Sequence, residues 1–498
     1  MSKTAKFLAI DFGAESGRGV LGRFDGKRLS LEEIHRFPNG PVRVGGSLHW
    51  DVLRLYREML NAIGACAAKY GPDLEGIGVD TWGVDFGLLG KGDTLLGNPS
   101  HYRDRRTDGM MEKAFQKISK REIFENSGIQ FIKLNTIYQL FSMVVNKSPL
   151  LDVAETLLLM PDLFNFLLTG WKVSEFSIAT TTQFYDPIRK TWSKTIFKKL
   201  GLPLDIMTER IVQPGSVIGP LRPWIAEEAG VKKVNVITPG GHDTACAVGA
   251  VPMRTSRCAY ISSGTWSLMG AEIKRAIITP QALECNFTNE GGVGGTFRFL
   301  KNIMGLWLVQ ECRRVWAGKG KPMPYAKLTA LAAKARPFGP LVEPDYEAFM
   351  GIGDMPKMIS TFCRKTGQKP PADKGAMVRC ALESLALKYR WTLEKLEEIQ
   401  GCKCEVIHIV GGGAQNTLLC QITADCIGLP VVAGPVEATA IGNVMMQAVA
   451  RGHVANIAEA REVIRRSFPV VTYLPKRTDA WAYAYEKYLG IVEKAKGM

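Results

Sequence analysis

Each half of this chain opens with the same local pattern, an apolar run, a glycine-containing turn and a second apolar run. The first occurrence is Asp11-Phe12-Gly13-Ala14-Glu15-Ser16-Gly17-Arg18, and the second is Ser262-Ser263-Gly264-Thr265-Trp266-Ser267. A strand–turn–strand unit that recurs some 250 residues later predicts two similarly built halves, each with its own sheet and core. At 498 residues the chain is too long for one core and suits two large domains. The junction is expected near residues 245–256, which divides the chain into domains 1–247 and 248–498.

The flanking sequence fills in an α/β design. Residues 7–12, 19–24 and 31–37 read as an antiparallel meander with short turns such as Asp25-Gly26. A helix should follow Asp51 as its N-cap, because Val52, Leu55, Tyr56, Met59, Leu60 and Ile63 keep a 3.6-residue period. A strand returns at residues 76–80. In the second half, residues 257–261 and 266–270 read as strands, residues 376–399 as a long helix, and residues 405–410 as a strand. That strand leads into Gly411-Gly412-Gly413 and a helix from about Asn416 to Cys426.

Composition narrows the function classes. Hydrophobic residues make up 46% and charged residues 22%, ordinary for a globular protein. No run approaches the ~18 apolar residues of a membrane helix. The start, Met-Ser-Lys-Thr-Ala-Lys, runs into Phe7-Leu8-Ala9-Ile10 without a signal-peptide core, so a cytoplasmic location is expected. The formal charge of +15 is spread over scattered Lys and Arg with no nucleic-acid-binding motif, and suits attraction of an anionic small substrate better than binding of DNA or RNA. Eleven cysteines do not read as a disulfide framework. The spacing of Cys402, Cys404, His408, Cys420 and Cys426 fits no usual zinc pattern.

Four segments carry chemistry. In Gly240-Gly241-His242-Asp243-Thr244-Ala245 a lone carboxylate sits in a glycine-led turn between apolar runs. Asp243 could simply cap the following segment; the alternative is a general base that takes the proton of an attacking hydroxyl. The two strand–turn–strand units expose backbone N–H groups that glycine lets a phosphate approach. In the first, Ser16 and Arg18 add donors, and Asp11 is placed to hold Mg²⁺ directly or through water. Gly411-Gly412-Gly413, between a strand and a helix, suits a nucleotide. No Gly-x4-Gly-Lys-Ser/Thr loop and no protein-kinase His-Arg-Asp segment is present.

These elements, in this order, resemble the FGGY family of carbohydrate kinases. Further strings extend the resemblance to the members that phosphorylate L-rhamnulose: Asp80-Thr81-Trp82-Gly83-Val84-Asp85-Phe86, Ser127-Gly128-Ile129-Gln130-Phe131, Thr288-Asn289-Glu290-Gly291-Gly292 and Lys301-Asn302-Ile303-Met304-Gly305-Leu306-Trp307, among others from Phe7 to about Tyr473. The resemblance implies a two-domain actin/hexokinase-like (ribonuclease H-like) fold with the active site in the interdomain cleft. It implies ATP-dependent phosphorylation of L-rhamnulose at O1, with another ketose such as L-fuculose or L-xylulose as the alternative substrate. The cofactor set it implies is ATP with Mg²⁺. The partners expected are the sugar and MgATP, with neither nucleic acid nor membrane, in a monomer or homodimer.

By position the resemblance makes Asp243 the base and places Gly83, His242 and Thr244 at the sugar. Trp82 and Phe131 are candidate apolar walls for the sugar's carbon faces. Ala14, Glu15, Ser16, Gly17 and Arg18 form the first phosphate loop, and Thr265, Asn302, Gln310 and Gly412 are the other nucleotide contacts. Glu15 is out of character in a phosphate cradle, so its side chain is expected to turn away from the phosphates or toward metal.

Overall fold

The structure is a computed structural model and describes residues 4–318, 320, 323–476 and 478–498. Met1, Ser2 and Lys3, with which the expected leaderless start begins, lie outside the described residues. The chain forms two compact units that interleave in sequence. Unit 1 takes Met1–Pro252, Glu272–Phe299 and Ala438–Phe468; unit 2 takes Met253–Ala271, Leu300–Glu437 and Pro469–Met498.

Unit 1 is built on a six-stranded sheet in the order Ser216–Pro220, Asn235–Thr238, Gly76–Thr81, Ala5–Phe12, Ser16–Phe24, Leu29–Pro38. The last three are the expected meander, each extended by a few residues. Ala5–Phe12 is central and almost wholly buried, with Ser16–Phe24 antiparallel on one side and Gly76–Thr81 parallel on the other. Helices cover both faces. A methyl group added to Gly19 would run into Ala62 of helix Val52–Tyr70, whereas one added to Gly22 would run into Val444 of helix Ala438–Ala450. The two glycines differ in parity along one strand and so face opposite sides. Asp51 caps the first of these helices, accepting a hydrogen bond from the Arg54 N–H.

Helix Ala438–Ala450 explains why a late segment returns to unit 1. It lies so close to helix Asp243–Gly249 that a Cβ on Gly442 would sit 1.9 Å from the Cys246 carbonyl oxygen. That contact is with backbone and cannot be relieved by a rotamer change. Gly442→Ala is therefore expected to destabilise the protein by roughly 3 kcal/mol. Gly64→Ala, in helix Val52–Tyr70 where the nearest atom is 3.9 Å away, should stabilise it by about 0.5–1 kcal/mol. Denaturant midpoints of the two variants should move in opposite directions, and a shared direction would contradict the packing.

Unit 2 centres on the second hairpin, Cys258–Ser263 antiparallel to Trp266–Ile273. Val406–Val410 pairs parallel to Cys258–Ser263, followed by Val431–Ala433 and Val471–Tyr473. The long helix spans Lys374–Gln400 and starts at Asp373, whose carboxylate accepts from the Ala376 N–H. Helix Thr417–Ile427 is capped by Asn416. No helix among the described residues is long and apolar enough to cross a membrane.

Candidate active site

Asp243 is the first residue of helix Asp243–Gly249. The N-cap is His242, and no side chain caps the helix there. The Asp243 carboxylate is thus not spent on capping, the ordinary structural reason for an aspartate in this position. Its Oδ1 accepts from the Thr244 hydroxyl at 3.0 Å and lies 3.4 Å from His242 Nε2. Oδ2 has no described partner. The side chain keeps 29% exposure. Partial withdrawal from water raises its pKa above the ordinary aspartate value; Asp11 pushes the same way, and His242 and Thr244 pull it back. A carboxylate of raised basicity with one oxygen oriented and the other open is equipped to accept a proton.

The turn carrying Asp243 is clamped from below. Glu175, fully buried, uses Oε2 to accept from the Gly241 N–H at 2.8 Å, the Ile178 N–H at 3.1 Å and the Ser177 hydroxyl at 2.6 Å; Oε1 accepts from the Ser177 N–H at 2.9 Å. The Ser177 hydroxyl in turn accepts from the His242 N–H at 3.2 Å. A side chain on Gly241 would enter this cluster, since its Cβ would lie 2.7 Å from Glu175 Oε2. The second glycine of the motif thus has a packing reason of its own.

Gly83 comes to the same place through the sheet. Thr81 donates its N–H to the Gly241 carbonyl and bridges to His242. A Cβ on Gly83 would be 3.5 Å from His242 Nε2. Gly83, His242, Asp243 and Thr244 therefore form one group. His242 Nδ1 faces a buried pair, lying 3.0 Å from Arg298 Nη2 and 3.3 Å from Glu290 Oε2.

Trp82 is buried with its indole against Trp50, centroids 3.9 Å apart. Both indole N–H groups donate to Asp85 Oδ2, at 2.6 Å from Trp50 and 3.0 Å from Trp82. Burial pushes the Asp85 pKa up to about 6, against the donors that favour its anion. Trp82 thus belongs to a polar-centred aromatic core. The Phe131 ring meets Phe115 and lies under the Lys120 ammonium, and its backbone N–H donates to Asn286. None of these described partners is in the Asp243 group.

The first hairpin turn is braced by Asn39, which donates to the carbonyls of Gly13 and Glu15. Ala14 and Ser16 are half-buried and Glu15 is exposed. Asp11 pairs in register with Arg18 on one neighbouring strand and with Asp80 on the other. Arg18 Nε and Nη2 donate to Asp11 Oδ2 at 3.0 and 2.9 Å. Asp80 is fully buried and accepts from Asn443 Nδ2 at 2.6 Å. Burial first, and Asp11 second, hold its pKa well above the usual range. Among the described residues no group of three or more His, Cys, Asp or Glu side chains is arranged to hold a metal. Asp11, with one oxygen already engaged by Arg18, is a carboxylate of the hard oxygen kind that Mg²⁺ takes.

In unit 2 the turn Gly264-Thr265 is tied to the segment after Phe297–Met304. The Gly305 and Trp307 N–H groups donate to the Thr265 carbonyl. Gln310, on the next helix, has a buried Oε1 without a described partner, an acceptor that a ligand N–H or O–H would satisfy. Asn302 is half-buried on strand Phe297–Met304. The three glycines differ. Gly411 has φ +80°, and a Cβ on Gly413 would fall 2.0 Å from Ser263 Oγ; Gly412 is exposed, with nothing within 4 Å of its Cβ position. The group that approaches the triplet closely is Ser263 of this chain, and Gly412 alone faces open space.

Sequence reasoning did not single out Glu175, Arg298 or Glu290, nor Asp80. The available signals were weak: Asp80 ends a strand expected at residues 76–80, and Glu290 stands in the 288–292 string that carries part of the family resemblance.

The N-terminal domain of the FGGY family of carbohydrate kinases matches residues 6–249, and the C-terminal domain of that family matches residues 259–451. A rhamnulokinase of Bacteroides thetaiotaomicron is 44% identical over 96% of this chain and 98% of its own length. One from Oceanobacillus iheyensis is 42% identical over 94% and 97%. A ligand-bound xylulose kinase from Lactobacillus acidophilus superposes with a TM-score of 0.81, at 16% identity over 98% of both chains. A Plasmodium falciparum glycerol kinase with ADP gives a TM-score of 0.75, at 14% identity over 99% of this chain and 98% of its own. These two structures bear on the fold alone.

Proposed function

The chain belongs to the FGGY family of carbohydrate kinases, and from that membership we propose that it transfers the γ-phosphoryl group of ATP to the 1-hydroxyl of L-rhamnulose. The products are L-rhamnulose 1-phosphate and ADP. The observation that carries the reading is near-full-length identity of 38–44% to several rhamnulokinases. It is supported by the grouping of Gly83, His242, Asp243 and Thr244 around one open carboxylate oxygen.

In the mechanism, Asp243 Oδ2 receives the proton of the sugar's 1-hydroxyl as its oxygen bonds to the γ-phosphorus and the bond to the β-phosphate oxygen breaks. Thr244 and His242 hold Oδ1, so the carboxylate presents a fixed edge. Gly83 leaves room for the sugar beside His242, since a Cβ there would already be in van der Waals contact with the imidazole and Thr181. Trp82 shapes the sugar-side wall from the core behind it, and Phe131 is proposed as a second apolar wall. Ala14, Glu15, Ser16, Gly17 and Arg18 contact the phosphates through backbone and the Arg18 cation, with the exposed Glu15 side chain directed away. Thr265, Asn302, Gln310 and Gly412 contact the nucleotide. Bound Mg²⁺, held through water by Asp11, would neutralise charge on the phosphates. The sugar role thus falls within residues 1–247 and the nucleotide role mainly within 248–498. The reaction is placed in the cytoplasm, the compartment that holds ATP, with a monomer or homodimer as the working unit.

An ADP-release assay on L-rhamnulose, L-fuculose and L-xylulose tests the substrate. L-Rhamnulose should give the highest kcat/KM by at least about tenfold, a margin that one changed hydroxyl partner supplies. A higher value for either of the other ketoses would reassign the enzyme to that sugar.

A further inference from the structure

His242 has two neighbours that the proposed reaction does not use. Arg298 has no exposed side-chain surface, and its Nε donates to the Gly291 carbonyl at 2.8 Å, which fixes the guanidinium plane. Gly291 itself is held, donating its N–H to the Thr180 hydroxyl at 2.7 Å. Glu290 Oε2 lies 3.2 Å from Arg298 Nη2 and balances a charge that would otherwise be buried alone.

We propose that Arg298 and Glu290 are positioning residues that set the tautomer of His242, so that its Nε2 carries the proton and holds Asp243 Oδ1. Guanidinium nitrogens are donors only. Nδ1 of His242 lies 3.0 Å from Arg298 Nη2 and 3.3 Å from Glu290 Oε2, and the nearer contact, with a group that can only donate, calls for a lone pair on Nδ1. The ring proton is then on Nε2, the nitrogen turned to Asp243 Oδ1. The other tautomer would set two donors against each other at Arg298 and two lone pairs against each other at Asp243. The hydrogen bond from Thr244 and the 3.4 Å approach of His242 Nε2 both fall on Oδ1, which leaves Oδ2 for the sugar hydroxyl. Among the described residues, the charged and titratable groups facing this site are Asp11, Asp80, Asp243, Glu290 and Arg298.

The inference rests on Asp243 being the base, and two measurements separate the two ideas. The first is made on the unaltered protein with ¹⁵N-labelled histidine at neutral pH, where His242 is assigned by its loss in His242→Gln. Its Nδ1 should show the shift of a bare nitrogen and its Nε2 that of a protonated one. A proton on Nδ1, alone or on both nitrogens, overturns the proposal without touching the role of Asp243.

The second is kinetic. Arg298→Met, which removes the donor and leaves Nδ1 facing only the Glu290 carboxylate, should lower kcat about tenfold with KM for ATP unchanged. The acidic limb of its pH profile should move upward by roughly half a unit, because Asp243 has lost a donor. In a His242→Gln background, whose amide needs no tautomer, the same change should have no further effect on kcat. An equal loss in both backgrounds, or no loss in the first, overturns the proposal. Turnover by Asp243→Asn reports separately on the base.

Discussion

Asp243→Asn is expected to lose turnover by on the order of a thousandfold or more, while folding and binding sugar nearly as before. The amide has the shape of the carboxylate but no basic oxygen to take a proton. The structure makes this substitution unusually clean. Oδ1 is the oxygen that accepts from Thr244 and faces His242, and Oδ2 has no described partner, so an amide oriented with its oxygen at the Oδ1 position disturbs no hydrogen bond. Asp243 also lacks a capping duty, so the helix it opens should be unaffected. The measurements are single-turnover ADP formation, sugar binding by calorimetry and the thermal midpoint. Turnover within a few-fold of normal would remove Asp243 from the base role. A large drop in thermal midpoint would show that the carboxylate serves structure after all.

Much of the fold was legible because its signals are local. The apolar runs and short turns of the first three strands, the 3.6-residue stripe after Asp51 and the glycine turns near 11 and 264 depend on neighbours within a few residues. The interleaving of the compact units is not local. Helix Ala438–Ala450 reads in sequence as an ordinary apolar helix, and what ties it to unit 1 is Gly442 against the Cys246 carbonyl and Asn443 against Asp80. Both partners lie hundreds of residues away, and nothing in the helix's own composition points to them.

The site divides in the same way. Asp243 stood out because glycines and apolar runs isolate it. Glu175, Glu290 and Arg298 did not, because a charged residue in a sequence is first read as surface, and only pairing in three dimensions makes it tolerable inside. Trp82 shows the opposite ambiguity. A large aromatic beside a motif glycine reads equally as ligand wall or core, and the Asp85-centred bonds of Trp50 and Trp82 identify its structural attachment. The glycine triplet at 411–413 needed two explanations, since backbone conformation accounts for Gly411 and the approach of Ser263 for Gly413.

Glu175 links that hidden layer to catalysis, and its two informative substitutions should behave differently. Glu175→Ala strands four buried donors, the N–H groups of Ser177, Ile178 and Gly241 and the Ser177 hydroxyl. Each orphaned buried donor costs about 1–3 kcal/mol, and the sum is less than additive, so a loss of roughly 4 kcal/mol is expected. Release of Gly241 also frees the turn that carries Asp243. A displacement of about 1 Å there should lower kcat of the folded fraction on the order of a hundredfold. Glu175→Gln can keep an oxygen at the Oε2 position, retaining Gly241, Ile178 and the Ser177 hydroxyl. Its NH₂ then meets only the Ser177 N–H, a loss of about 2 kcal/mol with kcat reduced far less. Denaturant unfolding and kcat measured on the same preparations separate the two terms. Equal kcat in both folded variants would mean that the clamp stabilises the protein without positioning its base.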